Sequence, residues 1–341
     1  MYQPQTIDEY ICSEETKRAV QDAINQSKGG LLPHILIRGQ SGCGKTSLVN
    51  VLKNESGYEH VVSIMGNTVS TIEELYSRIQ DCVNKYTRLC KKTIVFIDEV
   101  HRLPKKAQEL LFPILDNGVL INKLGTRSQV YELTIVCATT DSGAMLLPLR
   151  NRFNVTIDVT KHSIKNMLRI LANNCMQFLP QTFSEESLLK VANRSRGVPR
   201  TGITFVNNIH VKYANTQEIL CENVEDFFTE RGIDGVGLLP RDREYLAFLS
   251  KSGTIGLDAI AFGIQLDKTV ICDEIEPYLL QIGFIVKSGR GRKITNIGNE
   301  YLSLINSTKT MQISQDCYER LAGAYIQEIA GVVRRSVPDM K

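Results

Sequence analysis

Apolar residues follow two different rhythms along this chain. In the first half they come as short continuous runs: Ile35-Leu36-Ile37, Thr93-Ile94-Val95-Phe96-Ile97 and Leu133-Thr134-Ile135-Val136-Cys137-Ala138. Such runs mark strands buried on both faces. Val61-Val62-Ser63-Ile64 and Val155-Thr156-Ile157-Asp158-Val159 read as two more strands. Between them, residues 15–28, 45–53, 71–90 and 104–115 carry helical spacing. Strands alternating with helices predict an α/β fold, a parallel sheet with helices on both faces. Residues 119–132 alternate weakly around Lys123-Leu124-Gly125-Thr126-Arg127, which predicts a hairpin.

From Ser163 the rhythm changes. Helical patterns at 163–178, 184–193 and 199–214 follow one another with no strand run between them, as in a small all-helical domain. A Gly-rich joint at Arg231–Gly237 precedes residues 241–303, where helices lead to Gly283-Phe284-Ile285-Val286 and Lys293-Ile294-Thr295. Those two runs flank the basic turn Lys287-Ser288-Gly289-Arg290-Gly291-Arg292, the layout of a winged helix. Residues 308–335 are a candidate amphipathic helix. The expected domains are 1–160, 161–236, 237–303 and a tail over 304–341.

The 341 residues leave room for two or three domains, and 43% apolar content supplies real cores. A net charge of +3 excludes a polycation, so nucleic-acid contact would have to come from local patches. The cysteines have no C-x-x-C pair, which argues against a zinc site or a disulfide framework and for reduced thiols. Met1–Tyr10 lacks a signal-peptide layout, and no apolar stretch reaches the roughly 20 residues of a membrane span. The expected location is cytoplasmic.

Residues 39–46 read Gly-Gln-Ser-Gly-Cys-Gly-Lys-Thr, the full pattern G-x-x-x-x-G-K-[ST] between a strand and a helix. Gly39, Gly42 and Gly44 let backbone amides wrap phosphate oxygens, and the helix beginning at Lys45-Thr46-Ser47 adds its positive end. Lys45 is placed to reach the terminal phosphates and Thr46 to hold Mg²⁺. Cys43 reads as a small space-filler. Asp98 and Glu99 end a buried strand, where ligand crevices of parallel sheets lie. Asp98 there helps place Mg²⁺, and Glu99 polarises a water for attack on the γ-phosphate. Thr139 and Thr140 end the next strand, where a hydroxyl either touches the γ-phosphate or caps the strand. Arg150-Asn151-Arg152 is either a solvated basic turn or a source of a phosphate-stabilising arginine. Arg200 opens a helix behind Pro199, a poor place for a cation unless it serves the nucleotide.

In this order the motifs resemble the AAA+ ATPases and, among them, the RuvB family of branch-migration motors. The resemblance rests on Phe96–Leu103, on Ala138-Thr139-Thr140 with Pro148–Phe153, on Arg196–Arg200, and on Glu276–Phe284 through Arg292. It covers about residues 3–303 and implies an AAA+ P-loop core, a helical lid and a winged-helix domain. It implies ATP and Mg²⁺ as cofactors, a homohexameric ring, branched DNA as substrate and a RuvA-type junction-binding partner. It makes Arg152 the arginine finger acting on a neighbouring subunit, Thr140 (or Thr139) the first sensor and Arg200 the second. It puts Gln3 and Tyr10 near adenine, Asp116, Asn117 and Gly118 near the nucleotide, and Lys268, Lys287, Arg290 and Arg292 on DNA. Four departures stand out: Gln3 and Asp141 replace arginines usual in the family, the 119–132 hairpin is short, and the tail after Tyr301 is longer than usual. The same residues also fit an AAA+ loader of another DNA complex, or a nucleotide-switched DNA-binding regulator.

Overall fold

The computed structural model of the chain describes residues 2–27, 30–86 and 91–307. The candidate helix at 308–335 lies outside them. The described residues form two compact units: those within 2–178 with 197–203, and those within 179–196 with 204–307.

The first unit is built on five strands: β1 (Ile35–Gly39), β2 (His60–Met65), β3 (Thr93–Asp98), β6 (Leu133–Thr139) and β7 (Val155–Val159). They lie in the order β2-β3-β6-β1-β7, and every pairing is parallel. Alternate residues of each strand feed opposite faces. Ile94 and Phe96 join Ile35, Ile37, Val136 and Ala138 in one core, while Val95 and Ile97 join Leu36, Ile135 and Cys137 in the other. This two-sided burial is why the strands read as continuous apolar runs.

The covering helices are α1 (Glu14–Gln26), α2 (Lys45–Glu55), α3 (Ile72–Lys85), α4 (Lys105–Leu110), α5 (Phe112–Asn117), α6 (Leu147–Arg150) and α7 (Ile164–Phe178). Ser13 and Thr71 cap α1 and α3 by accepting from Thr16 N and Glu74 N. The helix expected over 104–115 is two helices, interrupted at Leu111 ahead of Pro113, whose ring disfavours continuation from the preceding turn. The helix expected over 71–90 ends at Lys85, and residues 87–90 lie outside the described set. The hairpin is present as β4 (Val119–Ile121) and β5 (Arg127–Gln129).

Helix α7 belongs with the first unit because its polar side chains hold the N-terminal segment. Asn166 Nδ2 donates to Cys12 O at 3.1 Å, and Tyr2 N donates to Asn174 Oδ1 at 3.2 Å. The helical region expected from 161 is thereby shared between the units.

The second unit holds α8 (Glu185–Arg194), most of α9 (Pro199–Lys212) and α10 (Cys221–Glu230). It is not wholly helical there: β8 (Thr182–Phe183) pairs with β9 (Glu218–Ile219), each too short to leave a period in the sequence. The winged-helix part follows as α11 (Pro240–Ser252), α12 (Leu257–Gly263), α13 (Lys268–Val270), a π-helical turn over Ile271–Ile275, α14 (Glu276–Gln281), β10 (Ile285–Ser288), β11 (Gly291–Ile294) and α15 (Asn296–Ser307). Leu246, Leu249, Leu279, Phe284 and Tyr301 are fully buried in its core.

Buried charges brace this unit. Arg292 donates through Nε to Glu276 Oε1 at 2.6 Å, and Tyr245 OH donates to the same oxygen at 3.0 Å. Glu276 is 1% exposed. Asp234, also 1% exposed, accepts from Tyr301 OH and from Leu238 N at 2.8 Å, and pairs with Arg243. Glu276→Ala would strand the Arg292 guanidinium, at a cost of about 3 kcal/mol, the low end for a broken buried pair because one edge of Arg292 reaches solvent. A chemical denaturation curve is expected to show this loss, and Glu276→Ala with Arg292→Ala together should cost less than the sum of the two.

Candidate functional site

The site is organised by strand order. β6 lies between β1 and β3, so the phosphate loop after β1 and the acidic pair after β3 flank the end of β6, where Thr139 and Thr140 stand. Gly42 and Gly44 have φ of +80° and +102°, and Gly44 caps α2 in the left-handed conformation. A side chain there would be strained, so the loop's shape depends on these glycines.

A cavity of about 320 Å³ opens over the loop. Of the residues expected at a nucleotide site, Gln3, Tyr10, Gly42, Cys43, Gly44 and Lys45 line it, as do Thr46, Ser47, Asp98, Glu99 and Arg200. Lys45 is 6% exposed; its Nζ donates to Gly39 O at 2.8 Å and Gln40 O at 3.3 Å. Burial pushes its pKa down, opposed by Glu99 and Asp98. The Asp98 carboxyl is pushed up by burial and by Glu99. This corner holds more negative charge than it comfortably solvates, and a divalent cation between Thr46 and Asp98 would relieve it. Thr46 and Asp98 are hard oxygen donors of the kind Mg²⁺ takes.

Glu99 sits in the left-handed region at φ +52°, a strain that persists only where surroundings impose it. Gly66 makes room: a Cβ there would lie 2.3 Å from Glu99 O. The Glu99 Oε2 atom accepts from Thr140 Oγ1 at 2.8 Å and lies 3.3 Å from His101 Nδ1. Thr139 is fully buried; its Oγ1 meets His101 Nδ1 at 2.9 Å and accepts from Asp141 N at 3.0 Å. Of the two threonines, Thr140 is the one in contact with the acidic pair. Asp141 earns its place as a turn former, accepting from Gly143 N and Ala144 N through Oδ1.

The sensor-like Arg200 is tied to the loop: its N donates to Gly42 O at 3.3 Å and its Nη1 to Ser41 Oγ at 3.2 Å. His162, which the sequence reading did not single out, donates from Nε2 to Cys43 O at 3.1 Å, while its backbone N donates to Gly197 O at 2.9 Å. It thus links the phosphate loop to the turn before α9. No motif flags it, because the link is made only in the fold. Tyr2, Ile170 and Ile203 are further unforeseen walls, and with Tyr10 they give the cavity an apolar end.

Several expected ligands are elsewhere, Thr139 and Thr140 among them, since neither lines the cavity itself. Asp116, Asn117 and Gly118 do not line this cavity. They end α5, where Gly118 supplies the left-handed cap at φ +63° and Asp116 pairs with Arg152 at 2.9 Å. Arg152 is likewise absent from the chain's own cavity.

In the second unit, the wing also needs a correction. Arg292 is 9% exposed and folded onto Glu276, so it braces the wing's base, and any contact with a ligand would compete with that pairing. The exposed cations are Lys287, Arg290 and, unforeseen, Lys293 on β11. Lys268 is exposed at the start of α13 and paired with Asp258.

The parallel sheet, phosphate loop, acidic strand end and polar third strand define a P-loop nucleoside triphosphatase with an appended winged helix. Residues 2–159 match the Holliday junction DNA helicase RuvB P-loop domain, and residues 235–303 match the RuvB C-terminal winged helix domain. The chain is 31% identical over 315 residues to the Holliday junction branch migration complex subunit RuvB of Kosmotoga olearia, covering 88% of this chain and 90% of that one. It is 29% identical over 320 residues to the same subunit of Neorickettsia sennetsu, covering 90% and 94%. Among solved structures, the Thermotoga maritima RuvB Holliday junction branch migration motor superposes with a TM-score of 0.75 at 26% identity, covering 88% of this chain and 98% of that one. The chain belongs to the RuvB family; it is an ATP hydrolase of the DNA helicase class.

Burial holds the His162 pKa below its ordinary range, and the same is true of His34. As pH falls, the unfolded chain therefore takes up these protons first. Their stability contribution is complete above the ordinary histidine pKa of about 6.5 and is lost as pH falls from there toward the depressed folded values. His162→Gln keeps a donor for Cys43 O and is expected to flatten part of that decline, with His34 responsible for the remainder. Melting temperature measured across this range is the check.

Proposed function

We propose that this chain is an ATP-driven motor that promotes branch migration of Holliday junctions, working as a homohexameric ring in the cytoplasm. The observation that carries the reading is the complete hydrolytic half-site: Lys45, Thr46, Asp98 and Glu99 share one cavity, and Thr140 touches Glu99. A catalytic carboxylate held this way has no purpose in a protein that only switches on binding, and RuvB membership favours a motor over a loader.

In this reading ATP lies along the cavity, its base toward the apolar end beside Tyr10 and its phosphates on the loop. Lys45 leaves the loop carbonyls for the terminal phosphates. Thr46 and Asp98 hold Mg²⁺, which supplies charge neutralisation on the phosphate oxygens when bound. Glu99 orients a water and takes up its proton. Arg152 reaches the γ-phosphate bound by the next subunit, where an arginine finger is worth about 10³–10⁵ in kcat. Arg200 senses the nucleotide at the start of α9. Three functional domains, an ATPase domain over 1–160, a lid over 161–236 and a winged helix over 237–303, fit this cycle.

The wing contacts DNA phosphates through Lys287 and Arg290, with Lys268 nearby in the sequence of the same domain and Lys293 added. A RuvA-type partner docks on the β4–β5 hairpin. Leu124, 91% exposed at its turn, and Tyr131, 67% exposed, are apolar side chains of the sort that a partner covers.

The test is the ATPase rate with and without four-way junction DNA. Stimulation by the junction is expected, with Glu99→Gln abolishing turnover while retaining ATP binding, and Arg152→Ala lowering kcat at least a thousandfold. Full activity in both variants, or in a monomer, would sink the proposal. On DNA, Lys287→Ala and Arg290→Ala are each expected to reduce the salt dependence of binding by roughly one counterion. Arg292→Ala should lower the melting temperature instead.

A further inference from the structure

The side chain of Arg152 is not loose. Its Nε donates to Asp116 Oδ2 at 2.9 Å, its Nη1 donates to Pro148 O at 2.8 Å, and its guanidinium carbon sits 4.4 Å from the centre of the Phe112 ring. Phe112 and Asp116 are four residues apart on α5 and so share one helix face. That face grips the guanidinium by one edge and one plane. Nη2 makes no hydrogen bond among the described residues. The Arg152 side chain is 31% exposed and that of Asp116 is 43% exposed.

Stability alone does not explain this arrangement. Asp116 stands in the last turn of α5, where the helix dipole disfavours a carboxylate. A half-exposed ion pair contributes little to folding. What the pair does achieve is order. A free arginine surrenders up to about 2 kcal/mol of rotamer entropy when fixed, and here that loss is taken before any phosphate arrives.

We propose that Asp116, with Phe112 beneath, is a positioning residue that holds Arg152 extended for the phosphate of a neighbouring subunit. The inference rests on the reading of Arg152 as a finger acting across subunits. Asp116 touches neither nucleotide nor metal of its own chain; it acts through Arg152. Anchoring at Nε and Nη1 fixes the plane of the group and leaves the Nη2 edge for the developing charge. A misplaced catalytic group costs on the order of a hundredfold in rate, so the anchor should be felt in kcat and hardly at all in KM.

The experiment compares steady-state ATPase of the full chain with junction DNA for Asp116→Ala, Asp116→Asn, Arg152→Ala and the Asp116→Ala/Arg152→Ala pair, with melting temperatures alongside. The expected result is a ten- to hundredfold fall in kcat for Asp116→Ala with KM and melting temperature held. Asp116→Asn should recover part of the loss, because an amide oxygen still accepts from Nε. The double variant should be no slower than Arg152→Ala alone. If Arg152→Ala lowers the rate but Asp116→Ala does not, or if the two losses multiply, the positioning role is overturned while the finger stands. If Arg152→Ala itself leaves turnover unchanged, the finger reading fails and the inference fails with it. Complementation gives a second check. Mixing Asp116→Ala subunits, whose own Glu99 is intact, with Glu99→Gln subunits, whose fingers are intact, should restore turnover above either alone. No restoration, in conditions where Arg152→Ala and Glu99→Gln subunits do complement, would overturn it.

Discussion

The placement of β6 between β1 and β3 is the constraint on which the rest of the first unit depends. Parallel pairing with β1 on one side and β3 on the other brings three strand ends into line. One continues into the phosphate loop, one carries Asp98, and the middle one offers Thr140. The separation between a phosphate cradle and an acidic pair is therefore set by hydrogen-bond spacing across a buried sheet, about 4.7–4.9 Å per strand, and not by loop conformation. Ile135, Val136, Cys137 and Ala138 are fully buried, so this spacing cannot relax without opening both cores.

Charge sets the second level of order. In the cavity, burial makes the positive Lys45 and the negative Asp98 both less comfortable in their ionised forms. In the proposed cycle, a triphosphate arriving with a divalent cation would offset both. The wing uses buried charge for the opposite purpose. Arg292 and Glu276 satisfy each other, and the pairing raises the Arg292 pKa. The wing's base is braced by charge, and Lys287, Arg290 and Lys293 are exposed on it, Lys287 lying 3.7 Å from Glu276.

The two cases explain which residue placements were legible in the chain. That Lys45, Thr46, Asp98 and Glu99 would meet at one cavity was legible because each motif is read within one strand–loop unit, and the sheet brings the units together whatever lies elsewhere. The pairing of Arg292 with Glu276 was not legible because four basic residues in a turn look alike in one dimension. The strand register pairs Lys287 with Arg292 and so puts both on the face toward Glu276, with Arg292 hydrogen-bonded at 2.6 Å and Lys287 at the longer distance of 3.7 Å, while Lys293 pairs with Val286 and stays exposed. His162 was invisible for the same reason: its partner Cys43 O is 119 residues away. The break at Leu111 was legible in Pro113 and overlooked, and it matters because α5 is the helix that carries Asp116.

The sequence by itself determined the parallel α/β core, the phosphate loop and acidic strand end, and the winged-helix layout. Each is written in contiguous patterns of apolar periodicity, glycine and charge. Only the tertiary structure decided that Thr140 and not Thr139 meets Glu99, that Asp116 holds Arg152 instead of lining this chain's own cavity, and that Arg292 is a brace. Those outcomes depend on side-chain direction at strand and helix ends. A rotation of one residue there moves a group from cavity to core, and no local pattern records it.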